Sequence, residues 1–245
     1  MNNIENYNIV LEKDLPDVDL LVAGFPGLGL IGGIASEQII NSLGLTQVGS
    51  IQSDAFPPTA VIFDGIPRRP VRLFGGENFL LLKADMIIPN ELANSLSRWI
   101  VDWALDIGIK ELVVFDGISG SDNDDKKVWG VLSAHSVEGE AEKFNVDVID
   151  RGAISGMSSS LLLESHEKKL KAIALLAEGT PKMPDARASA NLLGKFSEYI
   201  DLDIETESLI ESAEHFEKGF SKLVDQTQKS HESMEQHHAH PPLYG

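Results

Sequence analysis

The chain has 245 residues, of which 42% are apolar, and a formal net charge of −18. That length can bury a sizeable core as one large or two small domains. The acid excess speaks against nucleic acid as a partner, because phosphate binding needs concentrated Lys and Arg, and the lack of cysteine excludes disulfides, thiolate metal sites and cysteine nucleophiles. No run of about 18 apolar residues occurs, so no membrane span is expected. The N-terminus MNNIENYNIVLEKD has no basic segment leading into an apolar one, unlike a secretory signal. These features are compatible with a cytoplasmic location.

In chain order, Val18–Phe25 is a short apolar run closed by Gly and Pro and predicts a buried strand. PGLGLIGG follows, then IASEQIINSLG, where Ile34, Gln38, Ile39 and Leu43 suit a helix stopped by Gly44. Gln47–Ser53 reads as a second strand, which completes one βαβ unit. Thr59–Phe63, Val71–Phe74 and Asn78–Ala84 read as short strands separated by turn signals at 64–67 and 75–77. Asn90 is expected to cap a helix whose Leu92, Leu96, Trp99, Trp103 and Ile107 recur every three or four residues up to Gly108. Glu111–Phe115 predicts another buried strand, ending at Asp116-Gly117. Val128–His135 and Val146–Ile149 predict further strands with a helix from Ser136 to Phe144 between them. A helix over Ser158–His166, a strand over Lys171–Ala177 and a helix opened by Pro184 and Asp185 complete the body. Strands that alternate with helices and are continuously apolar point to an α/β fold with a mostly parallel central sheet flanked by helices, in one domain over residues 1–200.

Beyond residue 200 the character changes. From Asp201 to the end there are ten acidic residues against three lysines. Leu209, Ala213, Phe216, Phe220, Leu223 and Thr227 repeat at alternating steps of four and three, a heptad seam over 201–229. Such a helix either packs along its own domain or gathers subunits, with Leu209, Ala213, Phe216, Phe220 and Leu223 as the oligomerisation residues. Residues 230–245 are polar and without period, as expected of a flexible tail. The stretch from Ser230 to Pro242 would span about 20 Å as a coil.

Gly27-Leu28-Gly29-Leu30-Ile31-Gly32 matches G-x-G-x-x-G between a strand and a helix, with Asp54 further on. This is the placement a dinucleotide site needs, and a nucleotide- or nucleoside-binding enzyme built on that loop is the rival reading of the chain. Two details count against it. Pro26 precedes the first glycine, and Asp54 heads into a Phe56-Pro57-Pro58 loop. Glycines also serve close helix–strand approach without any ligand. Asp122-Asn123-Asp124-Asp125 lacks the glycine and the twelfth-position glutamate of a calcium loop. Ser158-Ser159-Ser160 lacks the second glycine of a nucleophile elbow, which leaves a triad with His135 or His166 unsupported, as it does at Ser119. His237, His238 and His240 have no acidic or thiolate partner at fixed spacing, so no metal site is expected.

The segments LVAGFPGLGLIGGIASEQII, AFPPTAVIFDG, IKELVVFDGISG, GMSSSLLLE and LLAEGTPKMPDARASANLL together resemble the proteasome assembly chaperone family, in particular its archaeal homo-oligomeric members. The similarity spans about residues 18–215, and no single motif carries it. It implies a nucleoside-phosphorylase-like α/β fold serving as a protein-binding scaffold, not an enzyme, with no cofactor and a structural role for the glycine loop. The end of the chain, Pro241-Pro242-Leu243-Tyr244-Gly245, offers an apolar side chain, a phenol and a carboxylate in a row behind a stiff approach. It resembles the hydrophobic–tyrosine–any-residue motif by which proteasome activators and some assembly chaperones dock on the core particle. The resemblance therefore implies a cytoplasmic homo-oligomer, a tetramer, whose Leu243, Tyr244 and Gly245 bind proteasome α-subunits. It leaves open whether the chain is an assembly chaperone or a gate-opening activator. A third use is a chaperone that holds free α-subunits through its sheet surface.

Overall fold

Every residue of Leu20–Gly24 is buried, as an unbroken apolar run in the middle of a sheet must be. The computed structural model describes residues 7–120, 127–134, 138–179, 181 and 184–209. Its strands are β1 (Asn8–Leu11), β2 (Leu20–Gly24), β3 (Thr46–Gln52), β4 (Val61–Phe63), β5 (Ile66–Arg68), β6 (Val71–Gly75), β7 (Phe79–Ala84), β8 (Glu111–Ser119), β9 (Val128–Leu132), β10 (Asp147–Val148) and β11 (Lys171–Gly179). The helices are α1 (Ile31–Leu43), α2 (Asn90–Asp106), α3 (Glu138–Lys143), α4 (Met157–Lys168) and α5 (Ala186–Ile200).

Among the described residues, nine strands form one sheet in the order β1-β3-β6-β7-β2-β8-β11-β9-β10. It is mixed, which corrects the expectation of a mostly parallel sheet. Only β7-β2-β8-β11 and the β9-β10 pair run parallel. The pairs β1-β3, β3-β6, β6-β7 and β9-β11 are antiparallel. The cause is the 76–78 connection, closed by Gly76 N donating to Phe79 O at 2.9 Å. A link that short cannot hold a crossover, so β6 and β7 must form a hairpin. β4 and β5 stand apart as a two-stranded hairpin.

Side chains alternate strictly between two cores. Leu21, Ala23, Leu80, Leu82, Leu112 and Val114 meet α2 and α4 on one face. Leu20, Val22, Leu81, Val113, Phe115 and Leu175 meet α1 and α5 on the other. On this second face Phe196 of α5 lies edge-on to Phe79 and Phe115, with ring centroids 5.7 and 5.0 Å apart. Asp185 caps α5 as expected, accepting from Ala188 N at 3.0 Å. Asn90 does not cap α2; it is the first helical residue, after an N-cap at Pro89. α1 ends at Gly44, whose φ of 60° suits glycine.

Packing continues past residue 200, beyond the expected domain edge. Ile204 and Leu209 are buried in the α1–α5 core, and Glu205 N donates to Ser42 Oγ at 2.9 Å. The heptad pattern assigns Leu209 to a seam between subunits, yet only 1% of its surface is exposed within its own domain. The remaining oligomerisation residues, Ala213, Phe216, Phe220 and Leu223, and the docking residues Leu243, Tyr244 and Gly245 lie outside the described residues, as do residues 122–125.

One polar cluster is buried within this body. Arg72 of β6 donates through Nε and Nη2 to Asp85 Oδ2 at 3.0 and 2.6 Å. Lys83 of β7, fully buried, pairs with Asp85 Oδ1 and with Glu37 Oε2 of α1, the latter at 2.5 Å. The Arg72 guanidinium also lies over Phe63 of β4, 4.4 Å from the ring centroid, so the cluster ties the outlying hairpin to the sheet.

Candidate functional site

The glycine-rich turn is where sequence chemistry is densest. After β2 the chain runs through Phe25-Pro26-Gly27 into a single 3₁₀ turn over Leu28–Leu30, then into α1. Gly29 and Leu30 take left-handed conformations, with φ of 61° and 53°. The turn is roofed by protein. Asp185 N donates to Gly29 O at 2.9 Å, and Ser189 Oγ donates to Ile31 O at 3.3 Å. The other glycines permit close backbone approach. A Cβ at Gly32 would lie 2.3 Å from Phe115 O, and one at Gly117 would lie 2.5 Å from Leu28 O. A dinucleotide needs its acid on a strand beside β2, but Asp54 is exposed beyond the end of β3. In the sheet β3 is separated from β2 by β6 and β7, so Asp54 is three strand positions away, about 14 Å. Spacing along the chain matched the fingerprint, while the strand order removes its second half.

A different constellation forms beside the turn. From β2 the chain crosses through α1 to β3, on the β7 side; from β8 it leaves towards β9, on the opposite side. Where neighbouring strands send their connections in opposite directions, a crevice opens at their C-terminal ends. Here that crevice is a cavity of about 470 Å³, bordered by 25–28, 116–119, 153–157 and Ile87, Ile88 and Asn90. Asp116, the first residue after the apolar stretch of β8, reaches it. Its Oδ1 accepts from Gly117 N at 2.7 Å, and its Oδ2 accepts from Ser158 Oγ at the start of α4. A Cβ at Gly27 would fall 2.1 Å from Asp116 Oδ1, so glycine there is what makes room for the carboxylate. Burial pushes the Asp116 carboxyl above the ordinary range, against the opposing pull of those two hydrogen bonds.

No triad is assembled among the described residues. Ser158 faces Asp116, Ser159 Oγ donates to Gly156 O, and His166 Nδ1 bonds Ser133 O at 2.7 Å. His135 lies outside the described residues, and Ser119 lines the cavity rim. Among the described residues no three His, Cys, Asp or Glu come together as a metal site, and no helix is long and apolar enough to cross a membrane. The Asp116–Ser158 pair and the Arg72–Asp85–Lys83–Glu37 cluster were not foreseen from the sequence. The available signals were Asp116 closing an apolar strand and Lys83 interrupting another.

Comparison with known proteins matches this architecture. The Methanocaldococcus jannaschii protein MJ0106 is 32% identical over 226 residues, covering 92% of each chain. The crystal structure of Pyrococcus furiosus PbaA, described as an archaeal homolog of proteasome-assembly chaperone, superposes with a TM-score of 0.82 at 29% identity, covering 92% of this chain and all of that one (100%). Pyrococcus furiosus PbaB, described as an archaeal proteasome activator, shares the fold with a TM-score of 0.73 at 21% identity, over 89% of this chain and 98% of its own. The PAC2 family model matches residues 21–224, and on that extent, with the mixed sheet and its two helical layers, the chain belongs to the PAC2 family.

Proposed function

We propose that this chain is a cytoplasmic proteasome assembly chaperone or ATP-independent activator that binds the α-ring of the core particle through several C-terminal tails. The observation that carries this reading is Leu243-Tyr244-Gly245 following a polar tether on a PAC2 body. The descriptions of PbaA and PbaB support the partner. One tripeptide offers only three contacts, so its own affinity is weak. Tethering several copies to one body raises effective concentration and multiplies avidity by about 10²–10⁴.

The body therefore acts as a homo-oligomer, a tetramer. Leu209 is taken up by its own core, which leaves Ala213, Phe216, Phe220 and Leu223 for the association seam. The β4–β5 hairpin supports self-association as well. Ile62, Ile66 and Phe63 are 62%, 52% and 38% exposed, more apolar surface than a solitary hairpin needs. Arg68 and Arg69 stand beside them on a chain of net charge −18, so the hairpin suits the acidic surface of a second copy. Ile62→Asp combined with Ile66→Asp is expected to lower the assembly mass in light scattering while circular dichroism stays unchanged.

Co-sedimentation of the full-length protein with proteasome core particle tests the tail. Deleting Gly245, or Tyr244→Ala, is expected to abolish association, because every copy loses its docking end and the avidity goes with it, with fold and assembly mass intact. One residue added after Gly245 separates the two kinds of contact: binding collapses if the carboxylate position matters and persists if Leu243 and Tyr244 suffice. Undiminished co-sedimentation of the shortened protein overturns tail docking. Binding confined to unassembled α-subunits would move the contact to the body.

A further inference from the structure

We propose that the cavity between the C-terminal ends of β2 and β8 binds a small uncharged molecule with a flat ring body and adjacent hydroxyl groups. Its volume of about 470 Å³ lies within the range of small-molecule sites, roughly 300–1,000 Å³. Phe25, Leu28, Ile88, Ile118, Ile154 and Met157 supply apolar walls. Among the described residues no Lys, Arg or His borders it, and Asp116 is the only ionisable side chain there, so a phosphate would meet a carboxylate and no described countercharge. A lone carboxylate is also too few ligands for a divalent cation.

What the cavity does provide is an acceptor. A carboxylate has about four lone-pair sites, and Ser158 and Gly117 occupy one on each oxygen. Two neighbouring hydroxyls can donate to the remaining sites, one per oxygen. Those bonds favour the ionised carboxylate and offset the burial that pushes its pKa up. The α4 N-terminus, which has no side-chain cap, borders the cavity at Gly156 and Met157. The cavity lies wholly in the body, so this reading is independent of the tail.

Thermal unfolding and calorimetric titration of the full-length protein test it, with adenosine as the probe of this class. Adenosine is expected to raise Tm in a concentration-dependent way. 2′,3′-Dideoxyadenosine, which lacks both hydroxyls, is expected to bind at least about tenfold more weakly, as a lost hydrogen bond to a charged group implies. Adenosine 5′-monophosphate should also bind more weakly, because its added charge enters a cavity that offers a carboxylate and no described countercharge. Asp116→Asn should weaken adenosine at least about tenfold. Ser155→Trp, at an exposed position on the cavity mouth, should block it without disturbing the fold. The proposal is overturned if millimolar adenosine leaves Tm unchanged, if the dideoxy compound binds equally well, or if Ser155→Trp binds as the parent does. The last comparison decides even if Asp116→Asn fails to fold.

Discussion

Asp85→Ala is expected to destabilise the fold by about 3–5 kcal/mol, the cost of leaving buried charge without its partner. Two cations, Arg72 and Lys83, face two carboxylates, Asp85 and Glu37. The side chains of Arg72, Lys83 and Asp85 are 6%, 0% and 6% exposed, so water cannot replace the lost carboxylate. Equilibrium unfolding in urea measures the loss, and a change below about 1 kcal/mol would mean the cluster behaves like a surface pair. Acid titration gives an independent check. Burial alone would raise the Asp85 carboxyl, but Lys83 and Arg72 outweigh it and hold the pKa below the ordinary 3.8. A carboxylate with a lowered folded pKa contributes stability above 3.8 and loses it as pH falls through the folded value. The stability gap between the parent and Asp85→Asn should therefore be widest near neutrality and close progressively below pH 3.8. Because Arg72 also stacks on Phe63, Asp85→Ala should loosen the β4–β5 hairpin, and with it the proposed contact between copies.

This cluster also shows where sequence reading stops. β2, β8 and β11 are legible because their apolar runs are unbroken, and α2 and α5 because their stripes repeat at helical spacing. Edges are harder to read. β1 is largely exposed and, among the described residues, borders only β3, so no alternation marks it, and β5 contains Pro67, which an isolated hairpin tolerates but a central strand would not. Pairings that depend on register escape as well. Arg72 meets Lys83 and Asp85 only because β6 and β7 fold back on each other, and Asp116 meets Ser158 only because β8 and α4 converge at one end of the sheet. The glycine fingerprint was legible as a motif, yet which atoms its glycines face depends on the layer above them.

For that reason the sharpest contrast pits one substitution against itself at two places. Gly→Ala within a helix normally stabilises by about 0.5–1 kcal/mol through backbone entropy and propensity. At Gly194, exposed in mid-α5 with none of the described residues within 4 Å of an added Cβ, that gain should appear in full. At Gly32, in the first turn of α1, the same methyl would lie 2.3 Å from Phe115 O and 2.8 Å from Phe25 O. Both are backbone atoms of the sheet's central strands or the turn after them, and neither can rotate away. Relief requires lifting α1 off β2 and β8, which opens the core around Ile31, Ile34 and Ala35. Gly32→Ala should therefore lose at least about 3 kcal/mol, at the severe end of overpacking. Chemical denaturation of the two variants side by side reads opposite signs if the glycines are there for packing. Were Gly32→Ala instead to keep the parent's stability, the close approach of α1 to the sheet would not explain the motif, and the loop would return to being a ligand site.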